Sequence, residues 1–198
     1  VPCNKVKKCK NGGKTIIDLK NGPGSDLYTC ECPKEYQGDL CSKFDTDYNF
    51  ALLKPTVQSS TLHHSDVGNF SSKYAVDGIK ADRCKTGVAL CAHLSSAEDQ
   101  WWRVDFQIVI PVARVIITNR KDYYNGLSDF EIKIGNSLEN EGRNNTKCGG
   151  RHSVPHADAK EISCSPPLTG RYLVIQSFSS LRLVMIEVEV FAAGLQVE

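Results

Sequence analysis

The sequence lacks most of the features that assign a function at sight. No apolar run approaches the roughly 18 residues that a membrane-spanning helix needs. No long segment holds a helical period. There is no internal repeat, no low-complexity tract and no Gly/Ser-rich linker. An excess of one charge sign is missing as well. The 24 basic and 23 acidic residues leave a formal net charge of +1, so no bulk field draws the whole chain to nucleic acid or an anionic membrane. A basic stripe with interleaved aromatics, which nucleic-acid binding needs, is also absent. So are a nucleophile elbow, a phosphate loop and a paired-carboxylate motif. The expectation is a protein that is not an enzyme. His63-His64 and His152-x-x-x-His156 come nearest to metal-ligand pairs. Pro155 inside the second pair breaks the helical face that such a spacing requires.

What is present is cysteine. There are nine, at 3, 9, 30, 32, 41, 84, 91, 148 and 164, and five fall in the first 41 residues. That density suits an oxidising compartment. A zinc site is the competing reading. Cys30-Glu31-Cys32 is a CxC rather than a CxxC, and no second close pair or His cluster supplies the remaining ligands. Two sequons, Asn69-Phe70-Ser71 and Asn144-Asn145-Thr146, also fit a secreted, extracellular glycoprotein. The chain opens on Val1-Pro2-Cys3, without a signal-like apolar stretch.

Composition changes near residue 44. Residues 1–44 hold eight Lys against five acidic residues, with turn signals at Asn11-Gly12-Gly13 and Asn21-Gly22-Pro23-Gly24. Residues 45–198 hold sixteen basic and eighteen acidic residues. Two domains are therefore expected, 1–44 and 45–198. A 40-residue segment buries too little apolar surface to fold without staples. The second part reads as many short strands: 101–106, 113–118, 130–134, 172–176 and 185–191. Several alternate apolar with polar residues, the sign of a half-buried strand. The fold class is all-β, with an antiparallel sandwich or barrel in the second part.

Residues 3–41 resemble an EGF-like module. Cys9-Lys10-Asn11-Gly12-Gly13, Tyr28-Thr29-Cys30-Glu31-Cys32 and Tyr36-Gln37-Gly38-Asp39-Leu40-Cys41 carry the resemblance. The family's pairing implies Cys9–Cys30 and Cys32–Cys41. Thr15 stands where a cysteine normally follows Asn-Gly-Gly, so Cys3 is left without its partner. Only Val1-Pro2 precedes the first cysteine, so no calcium is expected in this module. The cluster Lys5, Lys7, Lys8, Lys10 and Lys14 reads either as a solvated face or as a surface for an acidic partner.

Residues 45–193 resemble the F-type lectins, or fucolectins. The markers are an ordered series. Asn49-Phe50-Ala51-Leu52-Leu53-Lys54-Pro55 comes first, then Ala75-Val76-Asp77-Gly78 and Cys91-Ala92-His93. Trp101-Trp102-Arg103-Val104-Asp105 and Ile117-Thr118-Asn119-Arg120 follow. Glu131-Ile132-Lys133-Ile134-Gly135-Asn136-Ser137-Leu138 and Glu187-Val188-Glu189-Val190 close it. The resemblance implies a jelly-roll, discoidin-like β-sandwich whose loops at one end bind fucose. A neutral sugar needs directional donors and acceptors and an apolar wall. The family's His and first Arg match His93 and Arg120, 27 residues apart as in the family. After Arg120 the chain departs from the family. Tyr123-Tyr124 replace adjacent cysteines, and Leu127 stands near the place of a second Arg. The two rings are expected to wall a sugar face. Lys121, Arg83 and Lys85 are candidates to replace the lost cation.

The resemblance also implies one structural calcium ion. Asp77 and Glu187 match its carboxylates, and Tyr74, Ile79 and Ile186 match its carbonyl donors. Leu90 stands where the family has a serine. Calcium takes six to eight oxygens, so carbonyls must complete the set. Without calcium, Asp77 would cap a turn. Cys148 and Cys164 match a family disulfide. Cys91 lacks its usual partner, because Ile186 stands there, and a local Cys84–Cys91 bond is the simplest repair. The function implied is recognition of extracellular or cell-surface glycans, with protein partners possible through the EGF-like module. The alternative is a protein-binding adhesion or matrix module on a lectin scaffold, since fold alone does not fix function.

Overall fold

The structure is a computed structural model describing residues 8–17, 28–66, 68–84, 91–122 and 127–197. It forms two compact units, Val1–Tyr48 with Ala192–Glu198, and Asn49–Phe191. The closing residues group with the first unit through its backbone. Phe44 N–H donates to Leu195 O at 3.3 Å and Val197 N–H to Ser42 O at 2.8 Å.

The first unit pairs β1 (Lys14–Ile17) with β2 (Tyr28–Glu31) and β3 (Tyr36–Gln37) with β4 (Lys43–Phe44), both antiparallel. Disulfides join Cys9 to Cys30 and Cys32 to Cys41. The Asn-Gly turn is real: Asn11 and Gly12 both take positive φ, at 49° and 77°, the conformation those two residues tolerate best. Gly13 is needed for a different reason. A Cβ there would lie 2.6 Å from Cys41 Sγ. Cys41 and Phe44 are buried, and the Phe44 ring meets Tyr36 at 5.6 Å. So small a core agrees with dependence on staples. Lys8, Lys10 and Lys14 are exposed, while Cys3, Lys5 and Lys7 lie outside the described residues.

The second unit is a β-sandwich. Its strands are β5 (Thr56–Gln58), β6 (His63–His64), β7 (Gly68–Asn69), β8 (Ala92–His93), β9 (Trp101–Thr118), β10 (Phe130–Gly135), β11 (Thr146–Lys147), β12 (Ala159–Ser177), β13 (Val184–Met185) and β14 (Glu187–Ala192). The main sheet runs β11-β10-β12-β9-β14, with β5 also on β9. Alternation along β9 decides which side chains go inward. Trp102, Val104 and Phe106 are fully buried, whereas Arg103 and Asp105 remain partly open. Phe50, Phe130, Ile132, Leu173 and Ile175 are fully buried as well. Trp102 satisfies its indole by donating from Nε1 to Ser72 O at 3.0 Å. Across the open face, Arg171 grips Asp105 with two bonds of 2.7 Å.

One difference from the sequence reading concerns β9. Pattern alone suggests two strands, 101–106 and 113–118. The structure has one strand of 18 residues. Gln107 adopts φ 66° and the pairing with β12 slips between Gly170 and Tyr172. A bulge of this kind bends a strand without ending it, so Pro111 sits within β9, opposite Thr169. Cys148–Cys164 and Cys84–Cys91 are bonded in this unit.

Candidate functional site

Short pairings bring His93 and Arg120 together. β8 pairs antiparallel with β13, His93 opposite Val184 and Ala92 opposite Met185. Ile186, next after β13, donates its N–H to Thr118 O at 3.0 Å. Thr118 ends β9, and Asn119-Arg120 follow. The two residues therefore stand at one end of the sandwich, near enough for Arg120 to act on His93 electrostatically.

His93 is fixed on every side. Its N–H donates to Phe70 O at 3.2 Å and its carbonyl accepts from Leu62 N–H at 2.9 Å. Its ring lies 5.8 Å from that of Phe70. Nδ1 sits 2.8 Å from Leu94 O, so Nδ1 must carry the hydrogen. Burial is the largest influence on its pKa and lowers it. The Leu94 carbonyl opposes that, and the charges of Arg120 and Arg182 reinforce it, leaving the pKa below the ordinary 6.5. The ring is neutral at physiological pH, with Nε2 as an acceptor.

Arg120 is mostly buried, its side chain 11% exposed, and its Nε donates to Asp122 Oδ1 at 2.5 Å. Its N–H donates to Asn119 Oδ1 at 2.8 Å. Asn119 is itself buried and donates to Val154 O and Pro155 O. Burial alone would raise the Asp122 pKa. The hydrogen bond and charge of Arg120, with Arg83 adding to them, hold it below the usual carboxylate value. Lys121 N–H donates to Asp82 O at 2.7 Å, and its Nζ meets Asp82 Oδ1 at 2.6 Å. The 82–84 segment is thereby tied to the site, and Cys84 is bonded to the fully buried Cys91. Leu127, near the place of the family's second Arg, is 1% exposed and faces the interior. Tyr123, Tyr124, Lys85 and Leu90 lie outside the described residues.

Two residues here escape sequence reasoning. Arg182 acts on His93 only because β8 and β13 pair, and a two-residue pairing has no periodic signal. Gln100, 1% exposed, holds the segment that carries Arg182. Its Nε2 reaches Ser179 O and Leu181 O, both at 2.9 Å, and its Oε1 accepts from Leu183 N–H. A buried glutamine after an acidic turn looks, in sequence, like any surface polar residue.

The expected metal residues form a second locus. Glu187 on β14 is 1% exposed. One of its oxygens accepts from Gly78 N–H at 3.1 Å. The other, Oε2, is buried and has no hydrogen-bond partner among the described residues. Burial, reinforced by Asp77 and Glu189, pushes the Glu187 pKa up to about 8. Burial also raises Asp77, whose Oδ1 accepts from Ile79 N–H at 2.9 Å. Ile79 O accepts from Ala81 N–H at 3.0 Å, and a carbonyl has a second lone pair to give. Tyr74 is half-buried and Ile186 fully buried. With its pKa near 8 the Glu187 carboxyl keeps a proton at neutral pH in the absence of a cation, and a bound cation would take that proton's place. Among the described residues no three His, Cys, Asp or Glu side chains cluster for a metal, so a cation here would draw on carbonyls. Both sequon asparagines, Asn69 and Asn144, are exposed.

Residues 74–175 match the profile of a family described as "NedA-like, galactose-binding domain". The second unit is thus of the galactose-binding-domain class of β-sandwich. Among curated relatives, a fucolectin of Anguilla anguilla is 34% identical over 146 residues, covering 73% of this chain and 91% of that protein. Fucolectin-5 of Anguilla japonica is 37% identical over 148 residues, covering 74% and 77%. The chain belongs to the fucolectin, or F-type lectin, family. Among solved structures, an F-lectin from the serum of striped bass, Morone saxatilis, superposes with a TM-score of 0.67 at 30% identity. The match covers 79% of this chain and 50% of that one, so this chain spans half the length of the bass lectin. A Streptococcus pneumoniae fucose-binding module gives 0.59 at 28% identity, covering 74% and 98%.

Proposed function

We propose that the Asn49–Phe191 unit is a lectin that binds a fucose-containing or related glycan through His93 and Arg120. The observation that carries this is the convergence of a neutral, pinned imidazole and a carboxylate-held guanidinium at one end of the sandwich. The imidazole Nε2 accepts a sugar hydroxyl's hydrogen, and the guanidinium donates in a fixed fork. Lys121 stands beside them, held by Asp82, and Tyr123 and Tyr124 are the proposed wall. The relatives, fucolectins and a fucose-binding module, support this reading and a non-catalytic role.

Calcium fits the second locus. Glu187 and Asp77 would supply carboxylate oxygens, with carbonyls of Tyr74, Ile79 and Ile186 adding to the set, while Leu90 stands where the family's serine would add a hydroxyl. The ion would neutralise the buried pair and brace the turn at Gly78 against β14. The first unit we read as EGF-like, on the strength of its Cys9–Cys30 and Cys32–Cys41 bonds, and as a surface for protein partners. Four disulfides and two exposed sequons support secretion.

The test is a glycan array of the intact chain, with calcium and with chelator. Saturable binding of fucosylated glycans is expected, and His93→Ala or Arg120→Ala should abolish it. An array without saturable binding, alongside protein capture by the first unit, would favour an adhesion module instead.

A further inference from the structure

Eight arginines lie between residues 49 and 191. Six are tied to carboxylates. Arg103 meets Glu141 at 2.8 Å, Arg114 meets Glu161 at 3.2 Å and Arg120 meets Asp122 at 2.5 Å. Arg151 meets Asp129 at 2.8 Å, Arg171 meets Asp105 at 2.7 Å, and Arg143 is paired with Asp99. The other two, Arg83 and Arg182, have no ion pair among the described residues, and both are exposed. They are not scattered. Arg83 is flanked by Asp82, which is bonded to Lys121, and acts on Asp122. Arg182 acts on His93.

Both are held at the backbone. Arg83 sits between Asp82, whose carbonyl accepts from Lys121 N–H, and Cys84, which is bonded to Cys91. Arg182 sits between Leu181 and Leu183, both bonded to Gln100, and Leu183 O accepts from Leu94 N–H at 3.1 Å, one residue past His93. The charge count is local too. Arg83, Arg120, Lys121 and Arg182 stand against Asp82, Asp122 and Asp158, four positive to three negative. The rest of residues 45–198 hold twelve basic (16 − 4) and fifteen acidic (18 − 3) residues. A net positive patch thus borders His93 and Arg120 on an otherwise acidic unit. A neutral sugar leaves that excess uncompensated. Guanidiniums match the geometry of a sulfate or carboxylate and bind it with charge-assisted bonds. Arginines whose backbones are already placed lose less freedom on binding.

We propose that Arg83 and Arg182 grip an acidic substituent, a sulfate ester or a carboxylate, on the same glycan that His93 and Arg120 hold. This rests on the sugar site described under Proposed function. The test is titration calorimetry of the intact, disulfide-bonded chain with one fucosylated trisaccharide in neutral, sulfated and sialylated forms. At low salt, at least one acidic form should bind about tenfold tighter than the neutral form. That advantage should shrink as salt rises. In Arg83→Ala/Arg182→Ala the preference should vanish, and in Arg83→Lys/Arg182→Lys it should partly persist. The sulfated and sialylated arms tell which anion is the better match. Equal affinity for all three forms in the natural sequence overturns this inference and leaves the sugar site standing. So does a preference that survives the double alanine variant. Binding of no form overturns both readings.

Discussion

Replacing Gln100 by alanine should cost about 3–4 kcal/mol of stability in the second unit. Gln100 lies 1% exposed and serves four backbone groups. Its amide reaches Ala97 O at 3.1 Å and Ser179 O and Leu181 O at 2.9 Å, and its oxygen accepts from Leu183 N–H. One amide has two hydrogens, so three carbonyls share two donors, and the side chain makes about three bonds' worth of interaction. A typical hydrogen bond contributes about 1 kcal/mol net, and a buried group left unsatisfied costs about 1–3 kcal/mol. Three bonds with partial rescue by entering water give the stated range. Urea unfolding of the intact chain, followed by tryptophan fluorescence, measures it, since Trp101 and Trp102 are both buried. Glycan affinity should fall as well, because the same segment leads into β13 and its pairing with His93. A loss below about 1 kcal/mol, or full affinity in the variant, would refute the clamp.

Calcium should raise the thermal midpoint over that in chelator. At a hundredfold excess over Kd the stabilisation is about 2.7 kcal/mol, roughly 5–10 °C for a unit this size. Glu187→Gln should remove the rise, and equal midpoints in calcium and chelator for the natural sequence would sink the calcium reading. Glycan affinity should stay flat as pH falls from 8 to 6.5 and drop only at more acid pH. The lowered pKa of His93 keeps the ring neutral past its ordinary value. Its contribution to stability runs the same way, present above 6.5 and lost as pH falls through the folded value. Affinity that declines already above pH 6.5, measured by calorimetry, would contradict this. Gly170→Ala should cost several kcal/mol by thermal melt, because a Cβ there would lie 2.5 Å from Gly135 N, which is backbone and cannot swing aside. A melt within a degree of the natural sequence would count against the close approach of β10 and β12.

The strands and the inward-facing residues were legible because burial on one face writes a period of two into the sequence. Trp102, Val104 and Phe106 show it plainly. The length of β9 was not legible, since Pro111 and a positive φ at Gln107 look like a break when the partner strand's slip is unseen. His93 and Arg120 were legible through a family spacing rather than through chemistry. Their neighbours were not. Arg182 and Gln100 matter through contacts made by two-residue strands and a single side chain, which leave no repeat to detect. Arg83 was one of three interchangeable cations in the sequence. Its lack of a carboxylate partner among the described residues is what singles it out in the structure.

The central claim is that His93 and Arg120 form a working sugar site. Calorimetry of the intact chain with a fucosylated oligosaccharide in calcium, repeated with His93→Ala and Arg120→Ala, tests it most directly. The account predicts saturable binding by the natural sequence and none by either variant, each of which still melts cooperatively. Undiminished binding by both variants, or no binding by the natural sequence, would contradict it.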